Sequence, residues 1–191
     1  TPIKSSAASD VYKRQVIIPN LEPSTEYTVY AFYNGAICAR ATFTTKKGKP
    51  VGYTEYNGVE ALIADWDDLS GNILVTISAD ADLSNKSEIP AAVTNIVFWG
   101  EGATQPKLTI KGMSVPGALT KLEFYNLNIT APNGYIVNQN AVDGSFADII
   151  ISSCTLKTLR GVVRYQLAAA DKSLHLEIAD CIIDDLTGGS H

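Results

Sequence analysis

The sequence has few of the residues that hold small or metal-bound folds together. Its 191 residues include three cysteines, too few for a disulfide framework. There are only two histidines, and no C-x-x-C or clustered-histidine motif of a metal site occurs. No apolar run approaches the roughly 18 residues of a membrane-spanning helix. Basic residues are outnumbered, with 15 Lys and Arg against 20 Asp and Glu, for a net charge of −5. These shortages argue against a disulfide scaffold, a transmembrane helix and a nucleic-acid-binding protein.

What the sequence does contain is enough apolar material for a core. Hydrophobic residues make up 46% and charged residues 18%, which argues against wholesale disorder and suits one or two domains. Residues 1–15 are an exception, because the stretch from Ser5 to Gln15 resembles translated adapter sequence and is excluded from the fold. We expect the chain to be truncated at both ends, so the lack of a signal peptide carries no information.

Residues 16–46 have the pattern of three strands. A short apolar run at Val16–Ile18 ends in a turn at Pro19, and alternating apolar positions then follow on both sides of Asn34-Gly35, a strong hairpin signal. The run L-x-P-x-T-x-Y at 21–27 and the T-F-T-T exit at 42–45 resemble the end of a fibronectin type III domain. That resemblance implies a partial sandwich with spacer or adhesion roles, in which Tyr27 is the corner tyrosine bonded to nearby backbone.

Residues 47–53 combine lysines with glycine and proline and are predicted to be a linker. The second domain, residues 54–191, contains an internal repeat. Strings that begin at Lys121, Asp148 and His175 are 27 residues apart, and a weaker copy begins at Asn95. A second series of equivalent residues, called the second ladder, repeats at intervals of 26 or 27 residues. It comprises Ile110, Ile136 and Val163, with Gly134 and Gly161.

The strings are apolar at the same places. The aligned sets are Leu122, Ile149 and Leu176; Phe124, Ile151 and Ile178; Leu127, Cys154 and Cys181; and Ile129, Leu156 and Ile183. The alternation breaks once in each string, at Asn126, Ser153 and Asp180, which are residues that tolerate left-handed backbone. Each string is therefore predicted to be two short strands joined by a sharp bend.

Stacked coils of this kind form a parallel β-helix. We predict an all-β chain with about four to five coils, right-handed by the usual crossover rule. Val59, Leu62, Ile63 and Trp66 have helical spacing and predict a short capping helix, with the first strand at Ile73–Ile77. Cys154 and Cys181 share one inward column and are expected to be free thiols, because stacked parallel side chains rarely reach disulfide geometry.

The helix, the run G-N-I-L-V-T-I at 71–77 and the ladder together resemble the entry to pectate-lyase-like β-helix proteins. Such a domain after a fibronectin type III module resembles surface proteins of glycan-degrading gut bacteria. The resemblance implies a secreted or cell-surface location and a polysaccharide or cell-surface glycan as partner. It specifies the fold and leaves the chemistry open.

No catalytic residue is predicted. Lyases of this superfamily use Arg or Lys as base with calcium held by acidic residues, but motifs of the W-[IV]-D-H and R-x-P-x-x-R types are missing, as are the hydrolase N-T-D and G-H-G motifs. We therefore expect no cofactor, and calcium has no motif in its favour. One residual charged cluster could be brought together by the coils, or could simply solvate turns. It comprises Lys157, Arg160, Arg164, Asp180, Asp184 and Asp185.

A binding surface is the better prediction. Trp99 aligns with Tyr125 one step past the inward column, so both are expected to be exposed on adjacent coils, where sugar rings could stack. Glu123 and Glu177 lie in the column beside them and could accept hydroxyl hydrogen bonds. The alternative is that a long turn covers both aromatics.

Three functions follow from these patterns. The first is a non-catalytic, extracytoplasmic module for glycan binding or display in a bacterial polysaccharide-utilisation surface protein. The second is a fragment of a pectate-lyase-like polysaccharide lyase whose active coils are missing or degenerate. The third is a structural stalk. The sequence leaves the oligomeric state open.

Overall fold

A computed structural model describes residues 18–140, 143–166 and 174–186. The chain divides into two compact units, Thr1–Lys49 and Pro50–His191, and the division falls within the predicted linker. The segment 1–15 lies outside the described residues, as do the first two residues of the strand expected at Val16–Ile18. Ile18 itself is described and is not in a strand.

The described part of the first unit contains one antiparallel hairpin, formed by β1 (Glu26–Tyr33) and β2 (Ala36–Thr44). Its turn is the predicted Asn34-Gly35, and both residues have positive φ, 49° and 79°, as a tight hairpin turn requires. The Tyr27 hydroxyl accepts a hydrogen bond from the Glu22 backbone N–H at 2.9 Å. This is the local contact expected of a corner tyrosine.

The described residues of the second unit form parallel strands and one short helix. The elements are β3 (Thr54–Asn57), α1 (Val59–Ala64), a 3₁₀ turn (Trp66–Asp68), β4 (Gly71–Ile77), β5 (Ala81–Asp82), β6 (Val93–Gly100), β7 (Lys107–Thr109), β8 (Ala118–Tyr125), β9 (Asn128–Ala131), β10 (Tyr135–Asn140), β11 (Ser145–Ser152), β12 (Thr155–Thr158), β13 (Gly161–Gln166), β14 (His175–Ala179) and β15 (Ile182–Leu186).

These strands form three parallel stacks. Sheet 1 has the order β14-β11-β8-β6-β4-β3, sheet 2 has the order β15-β12-β9-β7-β5, and sheet 3 pairs β10 with β13. The chain passes from sheet 1 to sheet 2 and returns one rung further along. The second unit is therefore a β-solenoid of about four turns, which confirms the predicted parallel β-helix architecture.

The predicted inward columns are piled in register. Leu122 pairs with Ile149 and Ile149 with Leu176. In the neighbouring column, Phe124 pairs with Ile151 and Ile151 with Ile178. Phe98 and Phe124 stack inside the solenoid, with ring centroids 5.2 Å apart. The earlier rungs therefore bury their inward apolar side chains on one another, which is the main source of stability in such a fold. On the last described rung, Leu176, Ile178 and Ile183 remain exposed.

The bends lie where the sequence predicts them. Asn126, Ser153 and Asp180 have φ of 53°, 54° and 52°, in the left-handed region. Asn126 also donates from its amide nitrogen to the Gly100 carbonyl at 2.9 Å, which ties the corner to the preceding coil. Each repeat is thus a strand of sheet 1, a corner residue and a strand of sheet 2.

The cap at the first coil differs from the prediction in one respect. Val59, Leu62 and Trp66 are buried as expected, and the Trp66 indole N–H donates to the Glu88 carbonyl at 3.1 Å. However, β3 precedes the helix and pairs with β4, so β4 is the second strand of sheet 1. Four residues are too few for β3 to show a period in the sequence.

The cysteines of the described residues are free thiols. Cys154 and Cys181 precede paired residues of β12 and β15, and their thiols donate to backbone carbonyls. Burial raises the pKa of Cys154 to about 12, so this thiol stays protonated at neutral pH. Both residues act as small apolar side chains of the core.

Candidate functional site

The predicted aromatic pair is assembled but buried. Trp99 and Tyr125 are register partners on β6 and β8, with ring centroids 4.0 Å apart and planes 21° from parallel. Each side chain is only 7% exposed. They belong to a cluster outside the main core that also contains Leu74 and Val97, with Tyr53 packed against it. The expectation that both rings are exposed is therefore wrong, because apolar neighbours on the same face of sheet 1 enclose them.

The two glutamates predicted beside the aromatics are separated. Glu123 and Glu177 occupy one column of sheet 1, but Ile150 stands between them. That places them two strand spacings apart, roughly 9.6 Å along the column. Glu123 is 3% exposed, whereas Glu177 is exposed. The four predicted residues therefore do not form one open platform.

The predicted charged cluster also separates. The Lys157 ammonium lies 2.9 Å from an Asp184 carboxylate oxygen, and Asp185 is the register partner of Lys157. Asp180 is a corner residue. Because Lys157 and Asp184 are about half exposed, their pair has little effect on stability. Arg164 lies on β13 of sheet 3, and Arg160 immediately precedes that strand.

These arginines line a polar groove of about 270 Å³, called the cationic groove below. Its described lining residues come from successive coils where the chain leaves sheet 2 and enters sheet 3. They are Ser87, Lys111, Gly112, Ser114, Asn133, Gly134, Tyr135, Asn138, Arg160 and Arg164.

The register of sheet 3 positions these side chains. Asn138 on β10 is the partner of Arg164 on β13, and Tyr135 is the partner of Gly161. Met113, just before Ser114, bridges to Val137, just before Asn138. One groove wall is therefore a short file of side chains, one from each coil, with a spacing of about 4.8 Å.

The groove is electropositive in an acidic protein. Lys111, Arg160 and Arg164 contribute three positive charges, and the described lining residues include no carboxylate. The Arg164 guanidinium donates to the Gln166 side-chain oxygen at 3.1 Å, which restricts its orientation. Guanidinium groups bind carboxylates and sulfates through paired hydrogen bonds, so the groove is suited to an anionic ligand.

Neutral polar groups complete the lining. The Asn138 side-chain oxygen is buried and has no hydrogen-bond partner among the described residues. Gly112 has a φ of 49°, and a Cβ there would meet the Asn138 Cβ at 3.0 Å. The backbone of Gly112 thus sits close against Asn138, and this amide retains an acceptor that the described residues leave unsatisfied.

Sequence reasoning identified the two arginines but missed the other lining residues. Lys111 follows Ile110, and Tyr135 lies between Gly134 and Ile136, so both are adjacent to the second ladder. The ladder signal could have located them, but their convergence depends on how the chain turns between sheets 2 and 3.

A second, acidic cleft of about 320 Å³ lies beside the first helix and includes Glu60, Asp80 and Glu101. No group of three or more His, Cys, Asp or Glu side chains in the described part of the chain has metal-binding geometry. Within the same residues, no helix has the length and apolarity to cross a bilayer.

Comparison of the chain with protein-family models gave no match, and searches of curated proteins and of solved structures gave none either. The β-solenoid and the cationic groove are therefore the features that bear on its function.

Proposed function

We propose that the second unit is a non-catalytic glycan-binding module of an extracytoplasmic protein, and that its ligand is an anionic polysaccharide held in the cationic groove. The observation that carries this proposal is the convergence of Lys111, Arg160 and Arg164 on one groove of a chain with a net charge of −5. Basic residues gathered on one site of an acidic protein favour a ligand that carries negative charge.

The groove offers the mixture of contacts that such a ligand needs. The cations suit carboxylate or sulfate groups, while Ser114 and Asn133 can exchange hydrogen bonds with sugar hydroxyls. The groove is open to solvent, and exposed ionic contacts of this kind are weakened by salt. We expect moderate, salt-sensitive binding.

The bacterial surface location is part of the same proposal. It is based on the resemblance of the second unit to pectate-lyase-like β-helices and of the hairpin to the end of a fibronectin type III domain. The hydrogen bond between Glu22 and the Tyr27 hydroxyl supports the second resemblance. A secreted or surface-displayed module would meet polysaccharides directly.

A degenerate or partial polysaccharide lyase is the second candidate. It is favoured by Arg160 and Arg164 in the groove, because the resemblance implies an Arg or Lys as base in such enzymes. The non-catalytic function is preferred because the sequence carries none of the lyase motifs. A structural stalk, the third possibility, needs no ligand.

The first experiment measures binding of the whole chain to a panel of neutral, uronate and sulfated polysaccharides. Lys111→Gln and Arg164→Gln are expected to weaken binding to the charged polysaccharides about tenfold each, which corresponds to the loss of one charge-assisted contact. Lys107→Gln is the matched control, because Lys107 is exposed on β7 and does not line the groove.

The outcomes separate the three functions. Binding that Lys111→Gln weakens and Lys107→Gln leaves unchanged supports the groove. Release of unsaturated uronate products, with or without calcium, would show that the lyase alternative is correct. Equal binding by the wild type and all three variants would contradict the groove as the binding site. No binding to any charged polysaccharide would contradict the whole proposal and leave the stalk.

A further inference from the structure

We infer that Tyr135 is the stacking platform of the cationic groove, so that the site selects a cyclic sugar acid over other polyanions. This inference rests on the proposed function. It explains a selectivity that charge alone does not supply, because the three cations would attract any anionic chain. An aromatic ring beside them would add preference for a pyranose, whose C–H face packs on the ring.

The geometry that carries the inference is the contact between Tyr135 and Gly161. These residues are partners on β10 and β13. A Cβ placed on Gly161 would lie 3.1 Å from Cε1 and 3.4 Å from Cδ1 of the tyrosine ring. The ring therefore lies against bare backbone of the next rung, in space that a side chain at 161 would occupy.

This contact fixes the ring as part of the groove wall. Tyr135 is only partly buried, and it lines the groove together with Arg160 and Arg164. One part of the ring is supported by the Gly161 backbone while the rest borders the groove. A supported ring loses little conformational entropy on binding, which is what a stacking platform requires.

The groove volume sets the size of the ligand. About 270 Å³ is slightly below the ~300–1,000 Å³ of typical small-molecule pockets, which suits one sugar residue. With that residue on Tyr135, its acid group would be within the field of Arg160 and Arg164. A flexible acyclic polyanion would use the cations and gain nothing from the ring.

The test compares sugar acids with an acyclic polyanion. Binding of galacturonate and alginate trimers and of polyaspartate is measured for the wild type and for Tyr135→Phe, Tyr135→Leu and Arg164→Gln. Tyr135→Phe keeps the ring and is expected to stay within twofold of the wild type. Tyr135→Leu keeps apolar bulk over Gly161 without the flat ring and is expected to bind sugar acids about tenfold more weakly, with polyaspartate unchanged. Arg164→Gln is expected to weaken both ligand classes.

Gly161→Ala provides an independent check that replaces no groove side chain. The added methyl group would displace the ring by a few tenths of an ångström, so sugar-acid binding is expected to fall about threefold while polyaspartate binding stays constant. Thermal unfolding of each variant confirms that it is folded.

The results distinguish the Tyr135 platform from the anionic groove itself. If Tyr135→Leu binds both trimers as the wild type does while Arg164→Gln weakens them, the platform is overturned and the anionic groove stands. Equal losses for Tyr135→Phe and Tyr135→Leu would assign the effect to the hydroxyl and also overturn the platform. If Arg164→Gln changes no affinity, the proposed function itself fails.

Discussion

Single corner residues determine where each coil turns. Asn126, Ser153 and Asp180 adopt left-handed backbone at equivalent points of successive repeats. A residue with a Cβ disfavours this conformation by roughly 1–2 kcal/mol, and short polar side chains reduce the penalty by bonding to nearby backbone. Asn126 does so through its amide group, which donates to the carbonyls of Gly100 and Gly102. The corner is therefore held by side-chain hydrogen bonds to the preceding coil.

Replacement of Asn126 tests this role. Asn126→Ala is expected to lower the free energy of unfolding by about 2 kcal/mol, because it combines left-handed strain with loss of the amide hydrogen bonds. Asn126→Gly relieves the strain but loses the same bonds, so its cost is expected to be smaller. Urea unfolding measures both. An alanine variant as stable as the glycine variant would show that backbone conformation has no energetic role at this corner.

Among the secondary-structure elements, the hairpin and the sheets of the solenoid differ in how much surface they bury. Every residue of β2 is exposed, whereas β8 contains the buried run Leu122–Tyr125. Two strands with solvent on most of their surface are marginally stable in water. Each inner strand of sheet 1, in contrast, has hydrogen-bonded neighbours on both sides.

Amide hydrogen exchange should therefore differ between the two units. The amides of β1 and β2 are expected to exchange at least a hundredfold faster than those of β8, because opening the hairpin exposes little buried surface. Mass spectrometry of peptides from both regions of the whole chain gives the comparison. Strong protection across Tyr27–Val29 would contradict the expectation and indicate a hairpin stabilised by contacts beyond its own two strands.

At the scale of the whole molecule, stability depends on position within the stack. The same inward column contains Ile151, which is 0% exposed, and Ile178, which is 40% exposed on the last described strand of sheet 1. Stability in a solenoid is approximately the sum of contacts between neighbouring rungs. The same type of side chain therefore contributes more to the free energy of unfolding in an inner coil than in the last described coil.

Ile151 and Ile178 provide a matched pair of substitutions. Ile151→Ala is expected to lower the free energy of unfolding by about 2–5 kcal/mol, the range for buried aliphatic truncations, while Ile178→Ala should cost about 1 kcal/mol. Chemical denaturation of the whole chain measures the difference. Equal costs would mean that Ile178 is covered in solution as completely as Ile151.

The architecture could be predicted from sequence because its determinants are local and repeated. Alternation along each string fixes which side chains face inward, and the 27-residue spacing places Leu122, Ile149 and Leu176 in one file. The corner residues break that alternation in a recognisable way. Period and residue type thus specify the solenoid without knowledge of any distant contact.

The candidate site was decided by the tertiary structure. Alternation correctly placed Trp99 and Tyr125 outside the main core, but their burial depends on which other side chains share that face of sheet 1. Lys111, Tyr135 and Arg160 meet only because turns of particular length bring the ends of successive coils to one groove. The repeat determines which residues of successive coils stack on one another. The exposure of a side chain and the convergence of the groove residues depend instead on the irregular segments between strands, whose paths do not follow the repeat.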